Sequence, residues 1–431
     1  MSIFERNTAL KGVFDAHKER LAMDEGLTQE EIASALENGT MVLLGNPNHP
    51  RLTPLLVGQP ARVKVNANLG TSPLNNCLES ELKKIETALH AGTDTIMDLS
   101  TAGNLDEIRE KMLAACDLPV GTVPIYAVGK TVMESDRDIS SMNPDELFNE
   151  IEKQCRQGVD FITVHCGLSK RGAEFALEGS RELGIVSRGG SMLARWMVEN
   201  NKENPLLTEY DRLLDICRPY NVTLSLGDGL RPGAGCDAGD AAQWEEVINL
   251  GQLAKYGREH GVQCMIEGPG HMALNLVTGQ IEGIKRLTHN APLYVLGPLV
   301  CDSTPGYDHI AGAIGGALGV LAGVDFLCYL TPAEHLTLPD ADDVKAGVMA
   351  SRVAAHAGEI ALGSKRALKR EAAMNRARKN LDWESMAKNA LDPEEVKKRR
   401  ESHKQEEVCA MCGKFCSVKM LRDVSCHHKH C

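Results

Sequence analysis

The sequence predicts an α/β protein, a (β/α)8 barrel with a small N-terminal extension and a C-terminal helical appendage that ends in a cysteine tail. Three observations predict it. From residue 61 short β-branched runs alternate with longer amphipathic runs; the alternation lasts some 270 residues, about eight units; and chemistry-bearing residues recur where the runs end. The chain reads as four parts: an extension over 1–60, a catalytic barrel over 61–338, helices over 339–407 and a tail over 408–431.

Within the extension, Thr28-Gln29-Glu30-Glu31 forms a capping box and Asn38-Gly39 a stop, which predicts one short helix. Residues 40–60, rich in Pro, Asn and Gly, predict turns and short strands. Strand candidates follow at 62–66, 93–99, 121–126, 160–165, 184–186, 222–226, 263–266, 293–296 and 325–330. Nine candidates compete for eight places, so one is an accessory strand or none at all. Helices are predicted at 79–90 and at 144–156, the latter opened by Asn143 as cap and Pro144 in the first turn. The glycine-rich stretch 312–319 lies inside a helical run and predicts close helix packing, since it lacks the strand-turn-helix setting of a dinucleotide site. Helical periodicity continues over 341–361 and 365–390 and breaks at Asp392-Pro393, leaving charged 394–407 as a connector.

Bulk properties narrow the function. A net charge of -12 supplies no cationic footprint for nucleic acid, and Lys397 to Arg400 reads as a solvated helix face. No run of 18 apolar residues and no secretion signal is found, which predicts a cytoplasmic protein with no membrane partner. Nine of the 14 cysteines lie singly along the chain and read as small buried side chains. The other five crowd into the last 23 residues.

A barrel carries its active site where its strands end. There the sequence sets Asn68, Met97-Asp98, Tyr126, His165, Ser187-Arg188-Gly189-Gly190, Asp228 to Gly233, Glu267 to His271 and Tyr294 to Pro298. Glycines let backbone N–H groups approach an oxyanion, and arginine offers a planar fork of donors, so the pattern suits a phosphorylated small substrate. Glu267 and His165 are proton-transfer candidates by residue type and place. His271 and His335, with Glu267 and Glu334 nearby in sequence, are candidate metal ligands. Cys409, Cys412 and Cys416 are too close together for mutual disulfides and suit one metal centre. It would be zinc with a fourth ligand among Cys426, His427, His428, His430 and Cys431, or an iron-sulfur cluster with one open iron.

Asn66 to Gly70, Asp94 to Ser100, Ser187 to Gly190, Asp228 to Gly233, Glu267 to His271, Tyr307 to Ile310, Thr331 to His335 and the Cys409 stretch together resemble the phosphomethylpyrimidine synthase family of atypical radical S-adenosylmethionine enzymes. The resemblance runs from about residue 60 to residue 420. It implies a carbon-carbon lyase acting on 5-aminoimidazole ribonucleotide, and a homodimer fed electrons by a ferredoxin or flavodoxin. It implies a [4Fe-4S] cluster on Cys409, Cys412 and Cys416 whose open iron binds S-adenosylmethionine, with the tail over the barrel mouth of the neighbouring subunit. Substrate contacts are implied at Asn68, Met97, Tyr126, His165, Ser187, Arg188, Gly189, Asp228, Gly229, Leu230, Arg231, Glu267 and Tyr294, and a second metal, zinc or iron, at His271 and His335.

Three departures from the family pattern stand out. Three residues, not four, separate Cys412 from Cys416; His271 is followed by Met272-Ala273 rather than Val-Pro; and Val300-Cys301-Asp302-Ser303-Thr304 replaces Val-Thr-Asp-Ile-Ala. The last two flank the metal and substrate loops while the ligands stay. They lead to the expectation of a 5-hydroxybenzimidazole synthase, which makes the lower-ligand base of cobalamin, with phosphomethylpyrimidine synthesis for thiamine as the alternative.

Overall fold

The computed structural model describes residues 2–420. They fall into two compact units, one through Glu359 and one from Ile360 onward.

In the first unit eight parallel strands close into a barrel: β3 (Lys64–Leu69), β4 (Thr95–Asp98), β5 (Val120–Thr122), β6 (Phe161–Val164), β7 (Thr223–Leu226), β8 (Cys264–Glu267), β9 (Leu293–Leu296) and β10 (Phe326–Cys328). Each pairs with its successor, and β10 returns to β3 in the register Phe326 to Lys64 and Cys328 to Asn66. Helices cover the outside and side chains fill the inside, so nearly every strand residue is buried, the polar Lys64, Asn66, Thr95, Thr163, Thr223 and Ser225 included. Inside, Phe161 meets Phe326 edge to face at 6.3 Å and Tyr294 stacks on Phe326 at 4.3 Å.

The predicted strand 184–186 is not a strand. Gly184 takes a left-handed conformation, its carbonyl accepts from Arg181 Nη1 at 3.1 Å, and Ser187 then caps the helix Arg188–Asn200, leaving no length for pairing. The third strand also stops at Thr122 instead of Tyr126, because Pro124 opens the helix Pro124–Glu134 and carries Tyr126 into its first turn. The helix Asp308–Ala322 bears the glycine-rich stretch, and it does pack closely: a Cβ on Gly315 would stand 2.1 Å from the Pro298 carbonyl oxygen.

Around the lower end of the barrel lies the N-terminal part. The capping box at Thr28 forms, and the helix Gln29–Asn38 ends at left-handed Gly39. A longer helix, Thr8–Glu25, was not anticipated; Asn7 caps it and left-handed Gly26 ends it. Its buried residues Leu10, Val13, Phe14 and Leu21 fall at i, i+3, i+4 and i+11 on one helical face, while Ala9, Ala22 and Met23 lie off that stripe and blur the pattern. The strands β1 (Val42–Leu44) and β2 (Leu55–Val57) form an antiparallel hairpin. Asp160 ties this region to the barrel: its carboxylate accepts from Asn46 N at 2.8 Å and Val120 N at 2.8 Å, and it holds the buried His49 ring at 2.8 Å.

The helix Ala341–Ala361 matches its predicted span. In the second unit the predicted helix over 365–390 is two, Lys365–Asn380 and Trp383–Asn389, because Leu381 turns left-handed and Asp382 caps the second. Asp392-Pro393 starts a helix, Pro393–Arg400, rather than breaking one, so the charged connector is partly helical. There the Arg400 guanidinium lies 4.0 Å over the Trp383 ring, and Trp383 Nε1 donates to the Glu407 carbonyl at 2.9 Å. Among the described residues no helix is long and apolar enough to cross a membrane.

Candidate active site

The strands' C-terminal ends surround an open pocket. Nine of the thirteen expected substrate residues line it: Asn68, Met97, Tyr126, His165, Ser187, Asp228, Arg231, Glu267 and Tyr294. Leu99, Val123, Thr163, Gly268, Val295, Leu296 and Cys328 complete the wall. Thr163 lies on β6 two residues before His165, which directly follows the strand, and period-two alternation puts both on the inner face; the same reasoning would have found it from sequence.

Neighbours hold several of the polar groups in the wall. Thr163 Oγ1 and Ser225 Oγ both donate to Glu267 Oε1, at 2.6 and 2.7 Å. Burial raises the Glu267 carboxyl above its ordinary range, while these two hydroxyls pull the other way. Burial pushes the His165 imidazole down to about 3, and the Arg231 charge acts in the same direction. His165 is therefore neutral; its Nε2 lies 3.1 Å from Ser187 Oγ, while its buried Nδ1 has no partner. Asn66 Nδ2 donates to Tyr294 Oη at 2.8 Å and to Asn68 Oδ1 at 2.7 Å, and Asn68 Nδ2 donates to Cys328 Sγ at 2.9 Å.

The four other expected contacts sit differently. Arg188 is exposed at the start of its helix, its guanidinium 4.8 Å from the Tyr126 ring. Gly189 lies against the His165 ring, and Gly229 against Gly190. Leu230 does not reach the pocket: its side chain is in the core, its N–H donates to Glu246 Oε2 at 2.7 Å and its carbonyl accepts from Arg181 Nη2 at 2.6 Å. A methyl group on Gly189 would stand 2.3 Å from His165 Cε1. Gly189→Ala is thus expected to displace the imidazole, costing about 1–3 kcal/mol of stability and at least about tenfold in ligand affinity. Thermal melting and calorimetric titration check this, and an unchanged affinity would contradict it.

Asp228 supplies a second prediction. Burial drives its carboxyl up to about 8 against the pull of the Arg231 guanidinium, whose Nη1 donates to Oδ1 at 3.0 Å; Oδ2 is buried with no partner. Because the folded value lies above the ordinary 3.8, this group's contribution is complete below 3.8 and is lost as pH rises to about 8. Asp228→Asn escapes that loss, so its melting temperature should gain on the parent's between about pH 5 and about pH 8. A constant difference across that window would disprove the assignment.

His271 and His335 come together, with ring centroids 5.5 Å apart. His271 Nδ1 lies 2.8 Å from Asp302 Oδ1 and His335 Nδ1 lies 3.3 Å from Asp308 Oδ1. A carboxylate on each Nδ1 leaves Nε2 for an ion, the outer arrangement usual around metal-binding histidines. His335 also holds a left-handed backbone, φ 61°, which is uncommon for this residue type. The two free Nε2 positions fit an ion bound by two imidazoles with open positions; among the described residues no group of three or more His, Cys, Asp or Glu is arranged to hold a metal, so Glu267 and Glu334 do not join them. Burial raises the Glu334 carboxyl.

In the second unit the cysteine stretch folds through short turns: Gly413 N donates to the Cys409 carbonyl at 3.2 Å, Phe415 N to that of Cys412 at 2.9 Å, and Cys416 N to that of Gly413 at 3.2 Å. The backbone N–H groups of Cys412 and Met411 draw the Cys409 thiol below its ordinary range, and the Cys409 thiol pushes Cys412 above it. N–H groups aimed at the Cys409 sulfur fit a thiolate ligand, while among the described residues the three thiols are not drawn together into a metal-holding group. The expected fourth ligands Cys426, His427, His428, His430 and Cys431 lie outside the described residues.

The sequence departures fall away from the pocket wall. Met272 is packed in the core, while Ala273, Cys301 and Ser303 face solvent. None of them, nor Thr304, lines the pocket.

The Radical SAM ThiC family model matches residues 5–423. A phosphomethylpyrimidine synthase of Carboxydothermus hydrogenoformans is 48% identical over 418 residues, 96% of this chain and 97% of that protein. Proteins of the same name from Desulfitobacterium hafniense, 48% identical with 96% of each chain covered, and from Methanocaldococcus jannaschii, 46% identical over 97% of this chain and 99% of that one, are similar as well. These relatives overturn the expectation of 5-hydroxybenzimidazole and cobalamin synthesis. That expectation rested on loop residues that do not touch the pocket, whereas the relatives carry the name of its alternative. With a barrel whose mouth gathers the expected polar groups and a family match over nearly its whole length, the chain belongs to the Radical SAM ThiC family.

Proposed function

We propose that the chain is a carbon-carbon lyase that converts 5-aminoimidazole ribonucleotide into 4-amino-5-hydroxymethyl-2-methylpyrimidine phosphate, the pyrimidine precursor for thiamine. The observation that carries this reading is 46 to 48% identity, over nearly full length, to proteins named for that product. The pocket supports it.

Arg231 and the exposed Arg188 offer guanidinium groups to the substrate phosphate, and the N-terminus of the helix Arg188–Asn200 adds backbone N–H groups. Asn68 and Tyr294, fixed through Asn66, orient the sugar or base. His165 is held neutral in the wall, and Glu267 moves protons from Oε2, since Oε1 is engaged by Thr163 and Ser225. Met97, Leu99 and Val123 keep water away from the reacting atoms.

Cys409, Cys412 and Cys416 would hold the [4Fe-4S] cluster, which when bound supplies the electron that cleaves S-adenosylmethionine to methionine and a 5'-deoxyadenosyl radical. His271 and His335 would hold a zinc or ferrous ion. A homodimer, with a ferredoxin or flavodoxin as electron donor, completes the reading.

Anaerobic incubation of the full chain with 5-aminoimidazole ribonucleotide, S-adenosylmethionine and reductant tests it. The expected product, identified by mass and absorbance, is the hydroxymethylpyrimidine phosphate. Deoxyadenosine accumulating with no pyrimidine would refute it.

A further inference from the structure

We propose that Asp302 is a positioning residue that couples occupancy of the His271 and His335 pair to the shape of the substrate loop, so that a divalent cation and the ribonucleotide strengthen each other's binding. This rests on the reading of those histidines as metal ligands.

Asp302 uses its two carboxylate oxygens on two different loops. Oδ1 accepts from His271 Nδ1 at 2.8 Å, and Oδ2 accepts from Gly235 N at 2.7 Å. Gly235 lies four residues after Arg231, on the stretch that carries Asp228 and Arg231 into the pocket. The His271 N–H also points to that stretch, 3.3 Å from the Pro232 carbonyl oxygen. One carboxylate thus clamps an imidazole to the chain segment that presents the carboxyl of Asp228 and the guanidinium of Arg231 to the pocket.

The companion pair shows that this link is particular to Asp302. Asp308 holds His335 at 3.3 Å, but its Oδ2 is buried with no partner, so it joins that imidazole to no second loop.

An ionised carboxylate only accepts hydrogen bonds, so Asp302 keeps the His271 proton on Nδ1 and the lone pair on Nε2. A cation on Nε2 polarises the Nδ1–H bond and strengthens the contact with Asp302. The clamp on Gly235 is then held in one geometry, and the loop bearing Asp228 and Arg231 has less freedom to lose when the ribonucleotide binds. Linkage requires the reverse effect of equal size.

The full chain, handled anaerobically, provides the test. Zinc affinity is measured by competition with a chromophoric chelator, and 5-aminoimidazole ribonucleotide affinity by calorimetry with and without zinc. In the parent, zinc should tighten the ribonucleotide by about fivefold or more. Asp302→Asn can donate to Nδ1 and move the proton to Nε2, the tautomer that cannot ligate. It should weaken zinc by about 10- to 100-fold and erase the coupling. Asp302→Glu should restore part of both. Asp302 is half exposed, so melting temperatures should stay together.

Equal zinc affinity and equal coupling in the parent and Asp302→Asn would overturn the proposal while leaving the metal pair intact. A parent whose zinc binding is untouched by His271→Ala would instead remove the metal reading, and the coupling with it.

Discussion

Cys412→Ala is expected to abolish 5'-deoxyadenosine release, with iron and sulfide content falling together. Three thiols are the fewest that hold a [4Fe-4S] cluster while leaving one iron open, so losing one removes the site rather than weakening it. Cys412 is exposed and belongs to the second unit, so melting of the barrel should not change. Anaerobic reconstitution followed by metal analysis and a deoxyadenosine assay checks both halves. A variant that still cleaves S-adenosylmethionine at the parent rate would defeat the assignment of the stretch.

Glu267→Gln should lower kcat by about 10²- to 10⁴-fold, the usual contribution of a positioned proton-transfer group. The substitution suits the question because the amide oxygen can still accept from Thr163 and Ser225, which hold Oε1 at 2.6 and 2.7 Å. Fold and KM should be retained within a few-fold, so the change reports on proton transfer and not on packing. Cleavage of S-adenosylmethionine without pyrimidine formation should persist. Turnover within about fivefold of the parent would show that Glu267 only lines the pocket.

Much of the site could be read from sequence because strand ends in a barrel converge wherever they occur in the chain. Asn68, His165, Asp228 and Glu267 were identifiable as polar residues at those ends, and all four meet at one pocket. Leu230 sits within the same motif but turns into the core, and adjacency in sequence carries no sign of that. Residues with the opposite error are Ser225 and Cys328: each is small and ordinary in a strand, yet one grips Glu267 and the other accepts from Asn68. The product was misread for a related reason. Met272, Ala273, Cys301, Ser303 and Thr304 are neighbours of functional residues along the chain, but none faces the pocket.

The sequence by itself determined the elements that local chemistry controls. The capping box at Thr28, the Asn143-Pro144 start and the alternation of strand and helix each depend on contacts within a few residues. Tertiary structure decided what depends on residues distant in sequence. It removed 184–186 from the sheet, made His165 a neutral imidazole by burying it beside Arg231, and brought Asp302 to both His271 and Gly235. Desolvation and hydrogen bonding between loops act over a few ångströms of space, and closing the barrel is what brings positions separated by tens or hundreds of residues within that reach.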